Sequence, residues 1–447
     1  MKKRTITFSS AILAGVILTN WTYHASLDDN VVHDVPPVET AYTEVETVPE
    51  VEVDHPDIIE VHELREDVRC IDLSLFEPQE IDESISDPYL EFAIDLYARQ
   101  ALEAEGNMMI SPASIFFALS MVSAGAAGDT LDQMTAVMLP GQTPEALQSF
   151  ASAYNSELNN VSGIELHSAN SIWINDGLDT GVYRDYLDHV TQYYNAQVCT
   201  FVSGSDAADE INGWVNSQTN GMIPHIVDGL RDDTASVLIN AIAFDAEWAG
   251  GPLEITTDNR FRNADGGYPW ANMINGDAAA SFYAEDARGF ILKYTGGQYA
   301  FMAILPDNAD IDANEFASTM TAEQYAGYWD LMDYSRNVEV RIPEFACDYS
   351  ASLPGTLTEM GMIDVFSEDL SDLSNMSDTP LFISDVVHCT HIEVDSTGTT
   401  ASAATSEMAF ACNDAECEHI YLTRPFVYAI VDVETGTPLF IGTVNNI

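Results

Sequence analysis

Two groups of chemically capable side chains stand near the C-terminal end of the chain. His388, Cys389 and His391 form one, and Cys412, Cys417 and His419 the other. Imidazoles and thiolates are favoured zinc ligands, and a thiolate beside an imidazole is the nucleophile of a cysteine hydrolase. The spacing argues against both. Successive side chains of a strand point to opposite faces, so His388 and His391, three apart, cannot share one metal there, and Cys412 to Cys417 is longer than a zinc knuckle. Nothing beside Cys412 supports an oxyanion hole or a helix N-terminus, and its small neighbours are the opposite of a locked catalytic shell. No catalytic residue, metal ligand or cofactor is therefore assigned. His189, His225 and the tryptophans read as packing or surface residues.

What this stretch can do is be cut. From Thr399 to Ser406 every side chain is small, so the segment has no large apolar groups with which to dock while exposed. It contains no proline, and its one glycine, Gly398, stands at its start. Ala, Ser and Thr are slim enough to slide between two strands already in place. Val386–Val394 leads in as a β-prone run, and Ile420–Leu422 and Pro425–Val433 lead out. In this region His388, Ile392-Glu393-Val394, Gly398-Thr399 and Ala401–Ala404 resemble the hinge of the serpins. Arg424-Pro425-Phe426, Thr435-Gly436 and Leu439-Phe440-Ile441-Gly442 resemble their C-terminal strands.

The elements that must position this loop are legible upstream. A helix is expected from Asp87 to Glu105, with Leu90, Ile94, Tyr97 and Leu102 at roughly helical spacing. Asn107–Ile110 reads as a short buried strand running into a helix opened by Ser111-Pro112, and this block, continuing through Gly125, Gly128, Thr130 and Gln133, resembles the family's N-terminal signature. Leu166–Ile174, Val237–Phe244 and Ala300–Pro306 read as strands, and Val338–Phe345 as one half-exposed strand. The resemblance runs in order from about Ser86 to Ile447. It implies an α+β fold of three β-sheets surrounded by about nine helices, with an exposed reactive-centre loop.

The resemblance also implies a function, that of a suicide-substrate inhibitor of a serine or cysteine endopeptidase. The loop is cleaved, and Gly398, Thr399, Thr400, Ala401, Ser402, Ala403 and Ala404 form the hinge that enters the central sheet. Gly398 is expected to let the hinge turn. An arginine at Thr399 is expected to block insertion while leaving the fold intact. Carried over by motif position, Ser111, Ser114, Asn240 and His388 form a polar gate. Counting from Gly398 puts the reactive bond at Cys412-Asn413; counting back from Arg424 puts it nearer Asp414-Ala415. Cys412, preceded by Ala409-Phe410-Ala411, suits an elastase-like, subtilisin-like or cysteine protease. The alternative is a non-inhibitory member acting as a binding or structural protein. Cys412 and Cys417 flank the proposed bond closely enough to form a disulfide, with the other four cysteines left to pair elsewhere or stay free.

Composition bounds the rest. Met1–Arg4 followed by an apolar stretch has a signal-peptide layout, so residues 1–25 are expected to export or anchor the chain, giving a secreted protein. Residues 26–85 are acidic and proline-containing, a solvated, disordered spacer before the domain at 86–447. The net charge is −57, from 72 acidic against 15 basic residues. A phosphate backbone is repelled by such a surface, so nucleic acid is not a partner. Pro140–Leu158 has no basic residue, so no heparin-type polyanion is expected. The protein is expected to be a monomer, and its acidity to reflect a saline setting.

Overall fold

Long apolar runs have become strands covered on both faces, and the segments between them helices that do the covering. The computed structural model describes residues 58–60, 86–158, 164–175, 181–194, 196–202, 206–231, 234–399 and 418–447. The chain runs through β1 (Ile58–Glu60), α1 (Ser86–Glu103), β2 (Met108–Ile110), α2 (Pro112–Gly125), α3 (Gly128–Met138) and α4 (Pro144–Leu158). Next come β3 (Glu165–Asn175), β4 (Gly181–Tyr183), α5 (Arg184–Tyr194), β5 (Gln197–Phe201), α6 (Asp206–Gln218) and the long β6 (Ser236–Glu247). A β-rich stretch follows with β7 (Glu254–Arg260), β8 (Trp270–Asp277), β9 (Ala280–Tyr283), β10 (Ala287–Lys293) and β11 (Tyr299–Pro306), then α7 (Ala313–Ser318) and α8 (Ala322–Asp330). The C-terminal part holds β12 (Val338–Pro343), β13 (Phe345–Ser352), α9 (Pro354–Met360), β14 (Asp385–Val394), β15 (Gly398–Thr399), β16 (Glu418–Tyr421), β17 (Phe426–Asp432) and β18 (Pro438–Val444).

These strands form three large sheets. Sheet A has the order β13-β14-β15-β6-β3-β5, sheet B β2-β18-β17-β11-β10-β9, and sheet C β16-β12-β8-β7. With nine α-helices among the described residues, the architecture is the α+β arrangement that the resemblance implies. No helix among the described residues is long and apolar enough to cross a membrane.

The details differ from the sequence reading in two places. The run Val338–Phe345 is not one strand: it breaks at Glu344, the first part joining sheet C and Phe345 onward sheet A. Pro343 supplies no amide to a continuing ladder, which makes it a natural end for β12. The second difference lies in the expected spacer. Ile58–Glu60 pairs antiparallel with β4, Ile59 opposite Val182, so this β-branched pair has a strand partner.

Two apolar cores hold the sheets. The larger one joins α1 and α2 to sheets A, B and C through residues such as Phe92, Phe116, Phe244, Trp248, Phe301 and Tyr428. The smaller fixes α6 over the other face of sheet A through Ile211 and Val215 against Ile239 and Val387. Sheet A is thus covered on both faces. This explains why β6 is buried almost throughout and reads as a continuous apolar run.

Candidate functional site

The hinge starts inside sheet A. β15 lies between β14 and β6, with Thr399 opposite Val394 on one side and Ala246 on the other, both antiparallel. Thr399 is fully buried, and its Oγ1 and the Tyr294 hydroxyl are 2.6 Å apart in a hydrogen bond. Tyr294 is in turn stacked on Trp248, ring centroids 4.9 Å apart and nearly parallel. Trp248 donates Nε1–H to the Asp395 carbonyl at 2.9 Å, and its backbone N–H to the Thr397 carbonyl at 3.0 Å.

The turn into the hinge is made by Asp395. Its Oδ1 accepts from the Thr397 N–H and hydroxyl, each at 2.6 Å, and from the Gly398 N–H at 3.1 Å. An aspartate bonding the backbone two residues on is a local turn-former. Gly398 has a second reason to be glycine beside the expected one. Its φ of +159° is essentially extended, but a Cβ there would stand 2.0 Å from the Ala246 carbonyl oxygen and 2.8 Å from the Glu247 Cα. Glycine is needed here for close approach to β6. Full burial of Thr399 also corrects the expectation that Thr399→Arg leaves the fold intact, because the charge would have to be accommodated before any cleavage.

Below the hinge the sheet is closed. β14 and β6 pair directly in parallel over seven positions, from Asp385 opposite Val237 to His391 opposite Ala243. The middle pair is His388 with Asn240. Both are fully buried, as are Ser111 and Ser114 at the start of α2. All four meet in one hydrogen-bonded cluster. The Ser111 N–H donates to His388 Nε2 at 3.1 Å, and His388 Nδ1 faces Asn240 Oδ1. With Nε2 accepting, the proton sits on Nδ1 and the ring is neutral. Asn240 Nδ2 donates to the Ser114 carbonyl at 3.0 Å, to Ser114 Oγ at 2.5 Å and to Asn170 Oδ1 at 2.5 Å. Ser111 Oγ caps α2, accepting from Ser114 N at 3.2 Å, and donates to the Leu439 carbonyl at 2.8 Å. Burial pushes the His388 pKa down to about 3, since the charged ring would lose its hydration.

The far end of the loop is anchored in sheet C. Glu418 opens β16, parallel to β12, and both its carboxylate oxygens accept from Arg336 Nη1 at 3.1 Å. Arg336 also contacts Asp333 at 3.1 Å and lies 4.9 Å from the centre of the Tyr283 ring. The Tyr283 hydroxyl and the Arg336 guanidinium hold the Glu418 carboxyl below its usual range. Between these anchors, Thr400, Ala401, Ser402, Ala403, Ala404, Cys412, Asn413, Asp414, Ala415 and Cys417 lie outside the described residues.

Other sequence-selected residues are dispersed. His391 points away from His388 and pairs with Asp348 at 2.6 Å. Cys199, Cys347 and Cys389 are free thiols, which removes them from any pairing scheme. Burial raises the first two to about 12. Sequence reasoning missed Asn170, Tyr294 and Asp395. An Asp before Ser-Thr-Gly was a readable turn signal. Tyr294 had none, because its partner Thr399 is 105 residues away.

A buried hinge above a closed, polar-latched cleft is the arrangement of a serpin, and comparison with known proteins agrees. The family pattern described as Serpin (serine protease inhibitor) matches residues 88–447. The chain belongs to the serpin family. It is 32% identical over 376 residues to a leukocyte elastase inhibitor of Xenopus tropicalis, covering 80% of this chain and 98% of that protein. It is 30% identical over 378 residues to an uncharacterized serpin-like protein of Methanosarcina mazei, covering 79% and 85%. Among solved structures, the thermophilic serpin tengpin in its native state matches with a TM-score of 0.77 at 33% identity, covering 83% of this chain and 96% of that one. Members of this family are protease inhibitors rather than enzymes, although some do not inhibit.

Proposed function

We propose that this chain is a single-use inhibitor of an endopeptidase with elastase-like, subtilisin-like or cysteine-protease specificity. The supporting observation is Thr399, seated between β14 and β6 at the top of a cleft that is closed, from His391 opposite Ala243 down to Asp385 opposite Val237, over seven pairs. The target's serine or cysteine attacks the Cys412 carbonyl, forming an acyl-enzyme and freeing the Asn413 amine. The released strand then advances from Thr399 downward, replacing the direct β14–β6 pairing with two new ladders. Alternation from an inward Thr399 turns Ala401 and Ala403 inward, where small side chains fit. Insertion has to break the His388–Asn240 contact, so the buried cluster acts as the gate. The hinge, gate and loop together make the fold a strained one whose relaxation distorts the attached protease.

The test is incubation with a panel of serine and cysteine endopeptidases, followed by denaturing electrophoresis. A covalent complex resistant to denaturation is expected with an enzyme that accepts small or uncharged residues. Ala403→Arg, which places a charge on the inward face, should instead be cleaved without trapping the enzyme. Cleaved protein should also melt higher than intact protein, because the added strand relaxes the fold. A panel that yields only cleaved product, with no rise in melting temperature, favours a non-inhibitory binding role.

A further inference from the structure

The connection from α8 to β12, residues 331–337, is pinned to its neighbours. Asp333 bonds β9 in both directions: its N–H donates to the Ser281 carbonyl at 2.8 Å, and its carbonyl accepts from the Ser281 N–H at 3.2 Å. Its Oδ1 accepts from the Ser335 N–H at 2.9 Å and the Ser335 hydroxyl at 2.6 Å, and its Oδ2 from Arg336 Nε at 3.1 Å. The Arg336 guanidinium lies over the Tyr283 ring and donates to Glu418, the first described residue after the reactive loop.

This rigid turn nonetheless presents apolar side chains to water. Leu331 and Tyr334, from the turn itself, are 51% and 55% exposed, and Tyr283, beneath Arg336, is 37% exposed. Tyrosine and arginine are residues in which binding energy concentrates at protein interfaces, and a surface already held in place loses little freedom when it is covered. Chain length says what covers it. Five residues take Asn413 to Glu418, at most about 18 Å of extended chain, and the alternative bond at Asp414-Ala415 is closer still. A globular domain of about 200 residues is roughly 40 Å across, so a body that grips the reactive bond has a flank wide enough to reach Glu418 and the turn beside it. A stable interface also takes about 20–30 residues a side, more than the few loop residues an active-site cleft can hold.

We propose that Leu331, Tyr334 and Tyr283 form a docking surface for the target endopeptidase, meeting an apolar, aromatic-bearing rim on the side of its cleft that receives the residues after the cut. The proposal rests on the protease-directed reading above for its partner, and adds a second point of attachment outside the loop. Because Arg336 joins this surface to Glu418, the endopeptidase docks against the same clasp that fixes the far end of the loop.

The test uses the full chain and the panel of serine and cysteine endopeptidases, and reads the second-order rate constant of loop cleavage, counting trapped and released product together. For the endopeptidase that cuts fastest, Leu331→Ser/Tyr334→Ser should lower this constant about tenfold or more, the scale of a lost interface anchor. Tyr334→Phe, which keeps the ring, should retain most of the rate, and Leu102→Ser, which removes an exposed leucine from α1, all of it. An unchanged melting temperature checks the fold of each variant, and the two serine substitutions are read singly if the pair melts lower. A fall in rate with every product released untrapped leaves the docking surface standing and removes the inhibitory reading. A rate constant that the serine substitutions leave unchanged for every endopeptidase overturns the proposal, as does a panel in which none cuts the loop.

Discussion

Asn240→Ala tests the latch directly. The substitution deletes the donors to Ser114 and Asn170 and the acceptor facing His388 Nδ1, all inside a buried site. At least two groups lose a partner, the His388 N–H and the Ser114 hydroxyl oxygen. Each buried orphan costs about 1–3 kcal/mol, so the native fold should lose about 4 kcal/mol. For a folded unit of about 360 residues the unfolding entropy is roughly 0.8 kcal/mol/K, which converts this to a drop of about 5 °C in the melting temperature. A kinetic consequence separates a latch from an ordinary buried asparagine. If the cluster is already broken at the barrier to strand insertion, the native-state penalty lowers that barrier, and about 1.4 kcal/mol is a factor of ten in rate. Uncleaved Asn240→Ala protein held at a fixed warm temperature should therefore lose protease-trapping capacity at least tenfold faster than the native sequence, while gaining heat resistance as it does so. Scanning calorimetry at one scan rate and timed complex-formation assays measure both. A midpoint shift below about 1 °C together with an unchanged inactivation rate would refute the assignment of the cluster as a gate.

The pH dependence should carry the mark of His388, whose pKa is pushed from 6.5 to about 3 by burial. The unfolded chain takes up the proton first, so the contribution is complete above about pH 6.5 and is lost as pH falls toward 3, on the order of 5 kcal/mol in all; urea midpoints across that range should lose much of this slope in His388→Gln. Thr399→Val removes the partner of the buried Tyr294 hydroxyl, and should cost about 1–2 kcal/mol in urea unfolding and speed proteolysis near the hinge. Thr399→Arg should lower the melting temperature of uncleaved protein, and an unchanged midpoint would show that the hinge can leave the sheet freely. With a net charge of −57, stability should rise as NaCl increases and the Debye length falls from about 10 Å at 0.1 M toward about 3 Å at 1 M; a flat response removes self-repulsion as a factor.

The amino-acid sequence determined the local periods and the slim character of the hinge. The unbroken apolar run of β6 requires cover on both faces, the Ser111-Pro112 pair opens a helix, and Thr399–Ser406 lacks any side chain too large to pass between strands. Those features, with the family's motifs, sufficed to place the strands of sheet A and to single out Ser111, Ser114, Asn240 and His388, which the structure brings into one buried cluster. Contacts between distant residues were decided elsewhere. Tyr294 beneath Thr399, Asn170 beside Asn240 and Arg336 on Glu418 join positions 70 to 105 residues apart, and no local propensity encodes such a pairing. The role of Gly398 shows the same division. A glycine before a threonine reads as a flexible turn, because sequence reports conformational freedom at a residue but not which backbone lies against it. Only the assembled sheet brings the Ala246 carbonyl to where a Cβ would be, and so makes glycine a condition of the hinge being seated at all.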